Sequence, residues 1–308
     1  MTKTKKNDYN RLQAISQGWN ILFSVLILLL AITIVVPFLL VISISFTDAL
    51  AIAKNGYRLI PERISLLAYE SLYKAGSQLV DSYVITIFYT VVGTVYSLFI
   101  TSMFSFCIAQ KKFTARRAIT FFAFFTMLFS GGLVPSYIIN VQILKLRDTI
   151  WIFLLPGALS AWYAIILRTF IQSSVPDALF EAARIDGASD ILIYFRIALP
   201  LMKAGVATIG LFTCVGFWNN WFTAMLYIDN PKLIPLQTLL QRIQNNINFI
   251  KSNAQFAASV EGTEMLRNMP TESVRMAITV VVTLPILFVY PFFQRYFIQG
   301  LTIGSVKG

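Results

Sequence analysis

The sequence contains no histidine and only two cysteines, Cys107 and Cys214. Histidine is the commonest general base and metal ligand, so much hydrolytic and metal chemistry loses its usual residue. Two isolated cysteines inside apolar runs supply neither a disulfide framework nor a zinc pattern, and both read as small buried hydrophobes. No paired carboxylate, nucleophile–base pair or metal cluster sits within the apolar stretches, which argues against an enzyme. A phosphate-cradling loop of the form G-x-x-x-x-G-K-[ST] is also missing, so the chain shows no ATP-hydrolysing engine of its own.

Charge is scarce as well. Charged residues make up 13% of the 308 and hydrophobic residues 57%, against about 25% charged in ordinary globular domains. With a mean hydropathy of +0.70, this composition is that of an all-α polytopic membrane protein. The net charge of +11 is not a nucleic-acid signature, because no basic helix carries interleaved aromatics. Lys and Arg in the short flanks of apolar spans set topology, and anionic membrane lipid is the partner this charge fits.

A helix needs about 20 apolar residues to cross a bilayer. Six stretches qualify, near 20–45, 83–109, 118–141, 150–171, 203–228 and 274–296. The first is too long for a signal-peptide core and is expected to be retained, although Ala49-Leu50-Ala51 has a cleavage-like pattern. The N-terminal tail carries Lys3, Lys5, Lys6 and Arg11, and the second loop carries Lys111, Lys112, Arg116 and Arg117. Both lie inside the cell if the N-terminus does, and six spans return the C-terminus to the same side. The expected organisation is a tail at 1–19, a permease domain at 20–296 and a C-terminal tail at 297–308.

Proline and glycine interrupt several spans: Pro37 in the first, Gly131, Gly132 and Pro135 in the third, Pro156 and Gly157 in the fourth, Pro285 and Pro291 in the sixth. Membranes tolerate such breaks where neighbours or a cavity satisfy the freed backbone groups. Ordinary kinks explain most of them; Gly131, Gly132 and Pro135 are the hinge candidates. In the outer loop at 229–273, Leu236, Leu239, Leu240, Ile243, Ile247 and Ile250 recur at helical spacing among Gln and Asn. That predicts an amphipathic helix of about four turns, packed on the outer span ends or at the membrane surface.

The loop at 173–202 is the most informative stretch. Pro176 suits the first turn of a helix, and Asp177 and Glu181 complement its dipole. Ala182 and Ala183 are compact helix formers, and Gly187 ends the helix cheaply in the left-handed region. Ser189 caps a second helix expected from about Asp190 to Ala198, with Ile197, Leu199 and Pro200 closing it. Taken singly, each residue has a bland explanation as surface charge, cap or stop signal. Jointly, Glu181-Ala182-Ala183, then Gly187, then Ile197-Ala198-Leu199-Pro200 resembles the EAA signature of type I ABC importer permeases. Val175-Pro176-Asp177-Ala178-Leu179, Gly216-Phe217-Trp218-Asn219-Asn220-Trp221 and the tail from Gln299 to Gly308 are similar to the carbohydrate branch, nearest the tailed subunit type of the maltose permease. The segment from Phe129 to Pro135 resembles a Gram-positive subgroup linked to complex oligo- or polysaccharides.

The resemblance implies a six-helix type I (MetI-like) permease fold in a bacterial cytoplasmic membrane, N-in and C-in. It implies a second, non-identical permease subunit, an ABC ATPase dimer that holds ATP and Mg, an extracellular sugar-binding lipoprotein and a carbohydrate substrate, with no cofactor, metal or nucleic acid bound by this chain. Glu181, Ala182, Ala183, Gly187, Ile197, Leu199 and Pro200 would couple to the ATPase, and Gly300, Gly304, Lys307 and Gly308 would form a second ATPase contact. Sugars offer hydroxyls to amides and C–H faces to aromatic rings, so Trp218, Asn219, Trp221, Tyr137, Asn140, Tyr89 and Tyr96 are candidates for the path. Trp and Tyr also populate membrane interfaces, so a bland role stands beside each. Two alternatives stay open: a type I permease for a non-sugar solute, and an autonomous secondary transporter. The near absence of ionisable residues inside the spans speaks against the second.

Overall fold

A computed structural model describes residues 17–74, 77–257, 259 and 271–305. Among them the protein is helical, with a single antiparallel bridge between Thr47 and Ile64 in place of any strand. The chain divides into two compact units, residues 1–73 with 270–280, and residues 74–269 with 281–308.

The first unit opens with α1, Gln17–Ser45, an apolar rod that keeps Pro37 inside an unbroken helix. No residue of its most apolar stretch is buried. After it, α2 (Ala49–Asn55) starts at Asp48, whose carboxylate accepts the N–H groups of Leu50 and Ala51. Helix α3, Leu67–Lys74, is tied back through Tyr69, whose hydroxyl lies 2.8 Å from Ser45 Oγ. Ser273 Oγ donates to Thr47 O at 2.6 Å.

The second unit is built around α4, Ser77–Ala109, a 33-residue helix about 50 Å long. Its buried face is a row of small and hydroxyl residues, Ser82, Thr86, Thr90, Gly93, Thr94, Ser97, Thr101 and Ser105. Small side chains let helix backbones approach closely in membranes, and here they receive α8 (Ala161–Ser174) and α11 (Lys203–Trp218). A Cβ on Gly93 would come within 2.9 Å of the Phe217 ring. Tyr89 OH donates to Phe217 O at 2.9 Å, and Ser105 Oγ donates to Ala164 O at 3.0 Å. Apolar clusters close both ends of α4, one around Tyr89, Phe153, Phe217 and Tyr227, the other around Phe106, Phe180, Ile193 and Tyr194.

Between them run α5 (Arg116–Leu128) and α6 (Leu133–Ile143), which meet at 112° across Phe129–Gly132. Gly132 sits at φ 86°, a region that disfavours any Cβ, and Pro135 lies in the first turn of α6. The expected fourth span is not one helix. A short α7, Trp151–Leu154, precedes α8, and Pro156-Gly157 fall in the gap. Proline withholds an N–H and glycine adds freedom just after it, while Ser160 Oγ restarts the helix by accepting Tyr163 N.

The fifth expected span also divides, at Asn219–Trp221, before α12 (Phe222–Tyr227); Asn220 Oδ1 accepts Thr223 N at 3.2 Å and caps the second piece. Helix α13, Leu236–Ser252, is the predicted amphipathic helix; Leu236 and Ile247 are buried, and Leu236 N donates to Thr86 Oγ1. The four-residue α14, Ala254–Ala257, follows. The last helix, α15, runs Glu272–Ser305 straight through Pro285 and Pro291, so these prolines do not interrupt it as expected. Residues 18–45, 77–109 and 272–289 are each long and apolar enough to cross a membrane, and counting two bent pairs as single spans raises the number to five.

Candidate coupling site

The loop after α8 begins at Val175, which is extended at φ −115° and ψ 112°, as the residue before a proline prefers. Pro176 then caps α9, Asp177–Ile185. One face of α9 carries Phe180 and Ala183 into the core, where Phe180 meets Phe106 edge-on at 5.9 Å. Burying the Phe180 ring contributes about 2–3 kcal/mol to holding the helix down. Its other face presents Leu179, Glu181, Ala182 and Ile185 to solvent.

Gly187 ends α9 at φ 82°. Ala188 N donates to Ala183 O at 2.9 Å and Gly187 N to Arg184 O at 3.0 Å, the paired bonds of a Schellman motif. Ser189 Oγ accepts Leu192 N at 3.3 Å and opens α10, Asp190–Leu201. The centre of α10 widens into a π-helical turn at Tyr194–Ala198, with Leu199 N reaching back to Tyr194 O. That wider turn precedes Pro200, whose missing N–H and ring would clash in a regular helix. Pro200 lies in the last turn of α10, one residue before the helix ends at Leu201. The chain turns 81° beyond Leu201 into α11.

The second loop clamps α9 from the side. Lys111 Nζ pairs with Asp177 at 2.5 Å, and Arg184 donates to Gln110 Oε1 at 2.8 Å and to Asp190 Oδ1 at 3.1 Å. Tyr194 OH lies 2.7 Å from Ser102 Oγ on α4. An open groove of about 460 Å³ runs along α9, lined in part by Lys111, Lys112, Asp177, Glu181, Arg184 and Ile185. The loop is thus fixed to α4 by one face and offers the other, with carboxylates at Glu181 and Asp186 beside apolar Ile185 and Ile191, which are 86% and 67% exposed. Such a face can seat in a cleft of another protein.

A family described as binding-protein-dependent transport system inner membrane component matches residues 101–303. The chain belongs to that family. The permease is 38% identical over 293 residues to the polygalacturonan/rhamnogalacturonan transport system permease protein YtcP of Bacillus subtilis (strain 168), covering 94% of this chain and 99% of that one. It is 39% identical over 279 residues to Protein LplC of the same organism, covering 90% of each chain. Its fold matches a chain of the crystal structure of a bacterial ABC transporter involved in the import of the acidic polysaccharide alginate, with TM-score 0.77, 30% identity, and coverage of 92% and 99%. The permease is an inner-membrane transport component and not an enzyme, with the all-α MetI-like fold the sequence implied. Membership implies a partner permease, an ATPase and a substrate-binding protein.

Of the expected coupling residues, Glu181, Ala182, Gly187 and Pro200 are exposed, Ile197 and Leu199 are half-buried, and Ala183 is buried. The last three pack toward the end of α4 with Phe106 and Tyr194. Gly300 and Gly304 lie in α15, while Lys307 and Gly308 fall outside the described residues. Among the path candidates, Tyr89 is fully buried and stacks on Phe153 at 4.6 Å. Trp218 is buried and donates its Nε1–H to Val282 O at 3.1 Å. Tyr96 is half-buried on α4. Tyr137 stacks on Tyr227 at 5.5 Å, and Asn140 donates to Tyr227 OH at 3.2 Å. Asn219 accepts from Gln237 at 3.1 Å beside Trp221. Sequence reasoning missed Tyr227, Gln237, Gln110, Arg184, Ile185 and Ile191. The two isoleucines on either side of the short Asp186–Asp190 turn were the available signal.

Proposed function

We propose that the permease is one of two non-identical membrane subunits of an ATP-driven importer for oligosaccharides of acidic polysaccharides. The observation that carries this reading is its near full-length similarity to a permease named for polygalacturonan and rhamnogalacturonan, supported by the likeness to an alginate importer. The chain crosses the membrane six times, N-in and C-in, with the loop at 173–202 inside and the loop at 229–273 outside. The inner loop seats in an ATPase that binds ATP and Mg; the outer loop meets a sugar-binding lipoprotein; the residues from Gly300 to Gly308 add a second ATPase contact. Asn219, Trp221 and Gln237, with Tyr137 and Asn140, line the sugar path; their amide and aromatic chemistry supports this. Closure of the ATPase moves α9 and α10 as a clamped unit and rocks the spans, with the bend at Gly131, Gly132 and Pro135 as hinge.

Reconstitution tests the reading. The complex with its partner permease, ATPase and binding protein is expected to take up labelled galacturonic-acid oligosaccharide in an ATP-dependent way, in preference to a neutral malto-oligosaccharide. Stimulation by a peptide and by no sugar would sink the carbohydrate assignment. Transport by this chain without an ATPase would favour a carrier instead. Topology is read separately: an impermeant maleimide is expected to label Lys232→Cys on intact cells, and Lys112→Cys only after permeabilisation.

A further inference from the structure

We propose that the cleft between the start of α5 and the end of α8 binds a phosphate group, carried by the headgroup of an anionic phospholipid. The cleft has a volume of about 430 Å³ and is lined by Lys111, Arg116, Arg117, Thr120, Arg168 and Gln172. Four of those six are cations and none is acidic. Lys111 is shared with Asp177; Arg116, Arg117 and Arg168 have no acidic partner among the described residues. Three unneutralised guanidinium groups on two packed helices repel one another unless an anion sits between them, and the guanidinium fork matches phosphate oxygens.

A second observation points the same way. Arg168 Nε and Thr120 Oγ1 are both buried without a hydrogen-bond partner. Buried donors are rarely left unpaired, and one phosphate oxygen accepts from either. The surface above the cleft separates a lipid from a free ion. Phe121, Phe124 and Leu128 follow Arg117 along α5 at helical spacing and are exposed, as is Trp162 on α8. A phospholipid places its phosphate among the arginines and its acyl chains on those rings; a soluble phosphate uses only the polar half. The site lies apart from the sugar-path residues and does not depend on which sugar is carried.

The test is lipid retention by the assembled transporter. The parent complex is compared with a site variant, Arg116→Gln with Arg117→Gln and Arg168→Gln, and with a charge-matched control, Lys54→Gln with Arg63→Gln and Lys232→Gln. Each is exchanged into micelles holding equal phosphatidylglycerol and phosphatidylcholine, and bound lipid is counted by native mass spectrometry. Parent and control are expected to retain phosphatidylglycerol selectively, and the site variant to retain about tenfold less. Equal retention by site variant and parent overturns the proposal. Displacement of the lipid by added inorganic phosphate overturns the lipid source. Arg168→Lys keeps the charge but loses the fork and is expected to weaken retention; Arg117→Gln, on an exposed side chain, gives the same reading if the triple variant fails to assemble.

Discussion

Gly187 carries the sharpest consequence of a single residue. Its φ of 82° lies where an L side chain is strained, yet a Cβ added there would meet nothing within 4 Å. The glycine is therefore needed for its backbone and not for space. A β-branched residue costs about 1–2 kcal/mol in this conformation, whereas asparagine tolerates it. Substrate-stimulated ATPase in the assembled complex is expected to survive Gly187→Asn and to fall severalfold in Gly187→Val. Equal damage by both would instead locate the fault in side-chain bulk at a partner surface. Asp148 offers a second residue-level test. The backbone N–H of Asn230, then that of Asp229, hold its carboxyl below the usual aspartate range, at 2.9 and 2.6 Å. A lowered folded value means the tie stabilises above the ordinary aspartate pKa of about 4 and fades as pH falls through the lower folded value. The difference in unfolding temperature between parent and Asp148→Ala is expected to be constant above about pH 5 and to shrink below it.

At the scale of elements, the packing of α4 against α11 rests on the contact between Gly93 and Phe217. With the ring 2.9 Å from a would-be Cβ, Gly93→Ala must push Phe217 or separate the helices, and overpacking of this kind costs about 1–3 kcal/mol. The same shift strains the hydrogen bond from Tyr89 to Phe217 O. Phe217→Ala opens a cavity of its own, so the two changes are expected to be non-additive, the double variant unfolding at a higher temperature than the sum of single losses gives. Strict additivity in detergent unfolding would remove the contact from the account. This row of small residues was not legible in the sequence, because Ser, Thr and Gly scattered through an apolar run read as neither polar face nor break. The proline pattern misled in the other direction. Pro37, Pro285 and Pro291 lie inside intact helices, while breaks occur where glycine adjoins the interruption, at Gly131-Gly132 and Pro156-Gly157, or where Asn220 caps a new start. Proline removes one donor; a chain reversal also needs a residue free to leave the helical region.

Across the whole molecule, the local chemistry of the candidate coupling loop was legible and its orientation was not. Helix, left-handed glycine, Ser189 cap and second helix all follow from residue types and spacing. Which face of α9 points inward depends on Phe106, Tyr194 and Ser102, which the fold brings to one place from α4 and α10. Ala183, Ile197 and Leu199 pack inward there, and the most exposed large apolar residues of the loop are Ile185 and Ile191. Both are exposed enough that replacing them should leave folding within about 0.5 kcal/mol. If the loop docks in an ATPase cleft as proposed, the same two side chains become buried anchors, and losing a pair of anchors costs about 2 kcal/mol or more of association. Ile185→Asp with Ile191→Asp is therefore expected to leave the unfolding temperature of the permease unchanged while weakening capture of the ATPase about thirtyfold or more in detergent. Normal capture would move the ATPase contact off this face. Lost capture together with lost stability would mean that the isoleucines serve the fold. Only the separation of the two readouts assigns the outward face of α9 and α10 to a partner.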